Sequence, residues 1–188
     1  MDALEAMNDF ANNDAVTMTL SGYAGTGKTS LMEIFAKKMR MENKAVAFCA
    51  STNKAAAVLK SKVSKSGFKA TTVNKLFGIN IEVDSGQSYD ANNVITVLKD
   101  NDINEGTIIV IDEASMVNEE NYRILNEVAE RRQLKIIYVG DKAQLAPVNE
   151  DKVSIVFRNN DGKVVELTKV ERTADNAILK EATNLRNG

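Results

Sequence analysis

A chain of 188 residues with 44% apolar content is long enough to bury one sizeable core and too short for two ordinary domains with a linker. Its single cysteine, Cys49, excludes an internal disulfide and any cysteine-cluster metal site. The absence of histidine excludes imidazole bases, Ser-His-Asp triads and histidine-based zinc sites, so carboxylates, amides, lysines and arginines must carry any chemistry.

The formal net charge of −2 conceals an asymmetry, because Asn43 to Ile81 carries seven lysines and no acid while the remainder is acidic. No apolar run approaches the ~20 residues needed to cross a bilayer, and Met1-Asp2-Ala3-Leu4-Glu5 lacks the basic-then-apolar pattern of a signal peptide. The expectation is a soluble, monomeric, cytoplasmic domain with no membrane partner.

In chain order, Leu4, Met7, Phe10 and Ala11 fall at helical spacing, and Asn12-Asn13-Asp14 closes that helix before an apolar strand, Val16 to Leu20. A glycine-rich turn follows, then a helix from Ser30 to Met41 with Leu31, Ile34 and Phe35 on one face. The alternation continues with strand Ala45–Ala50, helix Lys54–Ser64, strand Thr107–Ile111, helix Glu119–Arg131 and strand Lys135–Val139. Such alternation predicts an α/β fold, a mostly parallel sheet with helices on both faces.

Two stretches depart from it. Residues 79–90 read as a short hairpin inserted between sheet strands, and Val153–Phe157 with Val164–Leu167 read as another around Asn159-Asn160-Asp161-Gly162. A last helix is expected from about Asp175, and the one proline, Pro147, lies in a loop.

Gly22-Tyr23-Ala24-Gly25-Thr26-Gly27-Lys28-Thr29 satisfies G-x-x-x-x-G-K-[ST] between an apolar strand and a helix start, the context a phosphate loop requires. Backbone N–H groups of Gly22, Gly25, Thr26, Gly27 and Ser30 would surround phosphate oxygens at the positive end of a helix. Lys28 would bridge the β- and γ-phosphates of ATP, and the Thr29 hydroxyl is a hard oxygen suited to Mg²⁺.

Further on, Thr107 to Ile111 is an apolar strand ending in Asp112-Glu113, the form of a Walker B element. In a parallel sheet this strand end emerges beside the phosphate loop, so Asp112 can hold Mg²⁺ and Glu113 can take a proton from an attacking water.

These segments together resemble superfamily 1 DNA helicases of the Dda- and RecD-like group, over essentially the whole chain. Ala50-Ser51-Thr52-Asn53-Lys54-Ala55-Ala56 is similar to motif Ia, and Thr71-Thr72-Val73-Asn74-Lys75-Leu76-Phe77 to motif Ib. Val139-Gly140-Asp141-Lys142-Ala143-Gln144-Leu145-Ala146-Pro147 is similar to motif III, and Leu167 to Arg172 to motif IV.

The resemblance implies a RecA-like first motor lobe that hydrolyses ATP with Mg²⁺ and moves 5′ to 3′ on single-stranded DNA. A second RecA-like lobe of the same polypeptide is missing from residues 1–188, so the chain by itself is expected to hydrolyse ATP slowly and not to unwind DNA. Implied catalytic residues are Lys28, Glu113, Gln144 as a γ-phosphate sensor, and Arg172, whose guanidinium can stabilise developing phosphoryl charge. Implied DNA contacts are Thr52, Asn53, Lys54 and Thr72, with Lys60, Lys62 and Lys65 read as a solvated helix face. The 79–90 hairpin falls where related enzymes carry the pin that splits the duplex.

The chain departs from the family pattern at Asn74, where a histidine is usual, at Asn53, and in lacking a glutamine that would read adenine. The readings that compete are a small P-loop kinase and an ATP-dependent switch or adaptor. Glu113→Gln separates them, because a pure switch has little turnover to lose.

Overall fold

The computed structural model describes residues 2–23, 25–79, 89–143, 153–158 and 163–167. Its framework is a six-stranded sheet in the order β3-β2-β4-β5-β1-β6. The strands are β1 (Thr17–Gly22), β2 (Val46–Ala50), β3 (Ala70–Thr72), β4 (Ile108–Asp112), β5 (Lys135–Gly140) and β6 (Lys163–Leu167). All five pairings are parallel.

The central strands are near-continuous apolar runs because both of their faces are covered. Successive side chains of a strand point to opposite faces, and the core divides accordingly. Ile109, Ile111, Ile136 and Tyr138 belong to one buried cluster; Ile108, Val110, Ile137 and Val139 belong to the other.

The second face is covered by α1 (Ala3–Asn12), α2 (Lys28–Met41) and α3 (Asn53–Val63), which contribute Phe10, Phe35 and Leu59 among others. The first is covered by α4 (Val73–Phe77), α5 (Ala91–Asp100) and α6 (Glu119–Arg131), through Phe77, Leu98, Leu125 and Val128. Side chains set several helix starts by accepting the orphan N–H of the first turn. Asp2 accepts from Glu5 N at 2.7 Å and Asn118 from Asn121 N at 2.8 Å.

The mostly parallel sheet with helices on both faces is as expected, but three features correct the sequence reading. Val153–Phe157 is no strand: Ile155–Arg158 forms a short helix, α7, and Lys163–Leu167 adds as β6 parallel to β1. The parallel site beside β1 outcompetes local hairpin pairing, while Val156 is buried in the core and its carbonyl accepts from Thr19 Oγ1 at 3.0 Å.

Elements β3 and α4 went unread because each is so short. Helix α5 also went unread, although Ala91, Val94 and Leu98 sit at helical spacing and are all buried. Of the 79–90 hairpin, residues 80–88 lie outside the described residues, as does the helix expected from Asp175. Among the described residues no helix is long and apolar enough to cross a membrane.

Candidate nucleotide site

Strand β1 carries Gly22 to the sheet's C-terminal edge, where the chain turns through the phosphate loop into α2. Gly25 and Gly27 both have φ +81°, and a Cβ on either would meet nothing within 4 Å. Conformation, not space, therefore demands glycine at these two positions. Gly27 is the N-cap of α2, with no side chain capping the helix and no acid in its first turn. The helix thus presents its first N–H groups and partial positive charge to whatever lies in the cleft.

Lys28 Nζ donates to the carbonyls of Gly22 and of Tyr23, the latter at 2.9 Å. An ammonium has three donors, so this hold fixes the lysine over the loop and is compatible with a further acceptor such as a phosphate oxygen. Thr26 Oγ1 donates to Tyr23 O at 2.8 Å and closes the turn.

Strand β4 brings Asp112 to the same edge. Burial pushes its carboxyl above the usual range, opposed by the Glu113 N–H, which donates to Asp112 Oδ1 at 3.0 Å, and by the charges of Lys28 and Lys62. Glu113 then adopts the left-handed conformation, φ 55° and ψ 39°, uncommon for a residue other than glycine. Its carbonyl accepts from Ser51 Oγ at 2.9 Å, so the strained peptide is held from the end of β2.

A cleft of about 660 Å³ unites these groups. Gly25, Gly27, Lys28, Thr29 and Ser30 line one wall, Asp112 and Glu113 the floor strand end, and Thr52 and Lys54 the start of α3. Gly22 and Thr26 support the loop from outside this lining. Gln144 and Arg172 lie outside the described residues.

Thr52 and Thr72 are N-caps: their hydroxyl oxygens accept from Ala55 N at 3.0 Å and Lys75 N at 3.1 Å. Each keeps its own O–H to donate. Thr72 and Asn53 do not line the cleft.

Lys62 corrects the reading of a purely solvated helix face, since it lines the cleft with Ala55, Val58 and Leu59. The signal was present in the spacing: 54, 55, 58, 59 and 62 share one helical face.

Thr29 and Asp112 offer hard oxygens in one cleft, and no group of three or more histidine, cysteine, aspartate or glutamate side chains gathers among the described residues. That donor set suits Mg²⁺, which takes few protein ligands and keeps several waters.

A parallel sheet of this order, with a lysine-bearing glycine loop after β1 and paired carboxylates after β4, defines a P-loop nucleotide-binding domain of RecA-like fold. The chain belongs to the AAA domain family, whose model matches residues 3–188.

It is 29% identical to the ATP-dependent DNA helicase dda of Enterobacteria phage T4, covering 91% of this chain and 38% of that protein. It is 31% identical to an uncharacterized protein of Acanthamoeba polyphaga mimivirus, covering 89% and 37% respectively. The crystal structure of the Pif1 helicase from Candida albicans superposes with a TM-score of 0.62 at 26% identity, over 90% of this chain and 39% of that one. These likenesses bear out the resemblance to superfamily 1 helicases of the Dda group. The chain spans about two fifths of the length of the relatives it matches.

Proposed function

We propose that this domain binds and hydrolyses Mg²⁺-ATP as the first motor lobe of a DNA helicase that moves on single-stranded DNA, together with a second RecA-like lobe. The observation that carries the reading is the single cleft in which Lys28 and Thr29, Asp112 and Glu113, and the start of α3 at Thr52 and Lys54 all meet. Nucleotide chemistry and a helix start suited to a phosphate backbone share one wall-to-wall space.

In this reading the α2 N-terminus and Lys28 hold the polyphosphate, Thr29 and Asp112 hold the cation, and the Glu113 carboxylate receives the proton of the attacking water. The cation, when bound, neutralises charge on the phosphates. Gln144 and Arg172 are proposed to sense and stabilise the γ-phosphoryl group. Thr52, Asn53, Lys54 and Thr72 are proposed to hold the DNA backbone, through hydroxyl, amide and ammonium donors.

ATP hydrolysis with and without single-stranded DNA tests this in the wild type, Lys28→Ala and Glu113→Gln. The expected outcome is slow turnover by residues 1–188 and DNA-stimulated turnover once the second lobe is included, with loss of ATP binding in Lys28→Ala and a fall of roughly 100-fold or more in kcat with ATP binding retained in Glu113→Gln. Turnover indifferent to both DNA and Glu113 would overturn it in favour of a switch.

A further inference from the structure

Ser51 is the first residue beyond β2 and directly precedes Thr52, the N-cap of α3. It is buried and bonds to the adjacent strand end, its hydroxyl standing 3.5 Å from Asp112 O and closer to Glu113 O. Its N–H donates to Asp112 O at 3.3 Å, continuing the β2–β4 ladder that pairs Ala50 with Asp112, and its hydroxyl donates to Glu113 O at 2.9 Å.

The peptide it grips is the one non-glycine residue of the cleft lining in the left-handed region, Glu113. The N–H of Glu113 is held by Asp112 Oδ1 and its carbonyl by Ser51 Oγ, so both ends of the residue are fixed. An L-residue at a strand end ordinarily continues extended, which would carry its side chain away from this position. A left-handed glutamate persists only where its surroundings over-determine it.

We propose that Ser51 is a positioning residue, whose hydroxyl locks the Glu113 peptide in the left-handed conformation that places its carboxylate in the phosphate cleft. The next residue, Thr52, caps α3 through Ala55 N. One two-residue step therefore ties the catalytic peptide to the helix start assigned to DNA. The inference rests on the proposed role of Glu113 as base; Ser51 itself touches neither nucleotide nor water.

The test uses the 188-residue chain as wild type, Ser51→Ala, the near-isosteric Ser51→Cys, which lacks a strong donor, and Ser51→Thr, which restores one. Measured are single-turnover ATP hydrolysis, ATP affinity, the thermal midpoint, and the ¹³Cα and ¹³Cβ shifts of Glu113, which report left-handed backbone directly.

In Ser51→Ala and Ser51→Cys, hydrolysis is expected to fall about tenfold, the scale of one lost hydrogen bond expressed in the barrier. ATP affinity should stay within about twofold, since that bond contributes to the barrier and not to binding. The Glu113 shifts should move toward extended values, and Ser51→Thr should restore both rate and shifts.

Unchanged Glu113 shifts in both donor-less variants would overturn the inference, as would a loss of rate matched by an equal loss of ATP affinity and melting temperature. A wild type that never hydrolyses ATP would instead count against the proposed function, and the Glu113 shifts would still decide the role of Ser51.

Discussion

Asp112 ends a strand whose preceding four residues, Ile108 to Ile111, are all essentially inaccessible, and this placement puts an ionisable group where burial opposes its charge. The folded chain therefore holds the Asp112 proton more tightly than the unfolded chain. Stability drawn from this residue declines as pH rises from the ordinary carboxylate pKa through the raised folded value, and stays lower above it. Asp112→Asn removes that decline while keeping an oxygen for the Glu113 N–H. The expected outcome is a variant that melts higher than the wild type at pH 7, with the advantage vanishing below the carboxylate range. The same variant should lose the Mg²⁺ dependence of nucleotide binding. Calorimetry across pH and a Mg²⁺ titration check the two halves of this trade between stability and function. At this scale the sequence was informative about Lys28, Thr29, Asp112 and Glu113, because loop and strand-end chemistry is local. It was uninformative about Ser51, whose partner is 62 residues away.

Elements meet closely where β5 ends against the short 3₁₀ turn Ala114–Met116 that follows Glu113. A Cβ at Gly140 would stand 2.9 Å from Phe157 Cζ and 3.3 Å from the amide nitrogens of Ala114 and Ser115. Backbone atoms on one side and a ring on the other have little room to yield. Gly140→Ala is expected to destabilise the domain by about 1–3 kcal/mol, read as a lower urea midpoint with unchanged slope. The two threonine caps offer a separate check on the start of α3 and α4. Thr52→Ala and Thr72→Ala should each cost ~1 kcal/mol of stability, in addition to any effect on DNA affinity. Measuring both quantities in each variant separates capping from contact. Helices such as α2 and α6 were legible because their apolar periodicity is long. The run Val153 to Leu167 was misread because a turn rich in Asn, Asp and Gly is compatible with either a hairpin or a crossover into a parallel edge.

Over the whole molecule most lysines of the basic segment from Asn43 to Ile81 reach solvent. Lys54, Lys60, Lys62, Lys65, Lys69 and Lys75 are exposed along α3, the turn after it, and α4, whereas Lys44 is engaged by Ala11 O, Asn12 and Glu42. A surface that replaces counterions on a phosphate backbone loses affinity as salt rises. If about three phosphates are neutralised, single-stranded DNA affinity should fall roughly twentyfold between 50 and 200 mM salt. A flat salt titration by fluorescence anisotropy would count against these lysines as DNA contacts. The sequence by itself determined the α/β class and marked the phosphate loop and the strand-end acid pair, because these and the apolar runs are specified by neighbours in the chain. Only the tertiary structure decided that β6 lies beside β1, that Lys62 joins the cleft, and that Ser51 grips Glu113. Each depends on which distant segments share an edge or a face, and parallel pairing is set by packing of both sheet faces, not by any local pattern.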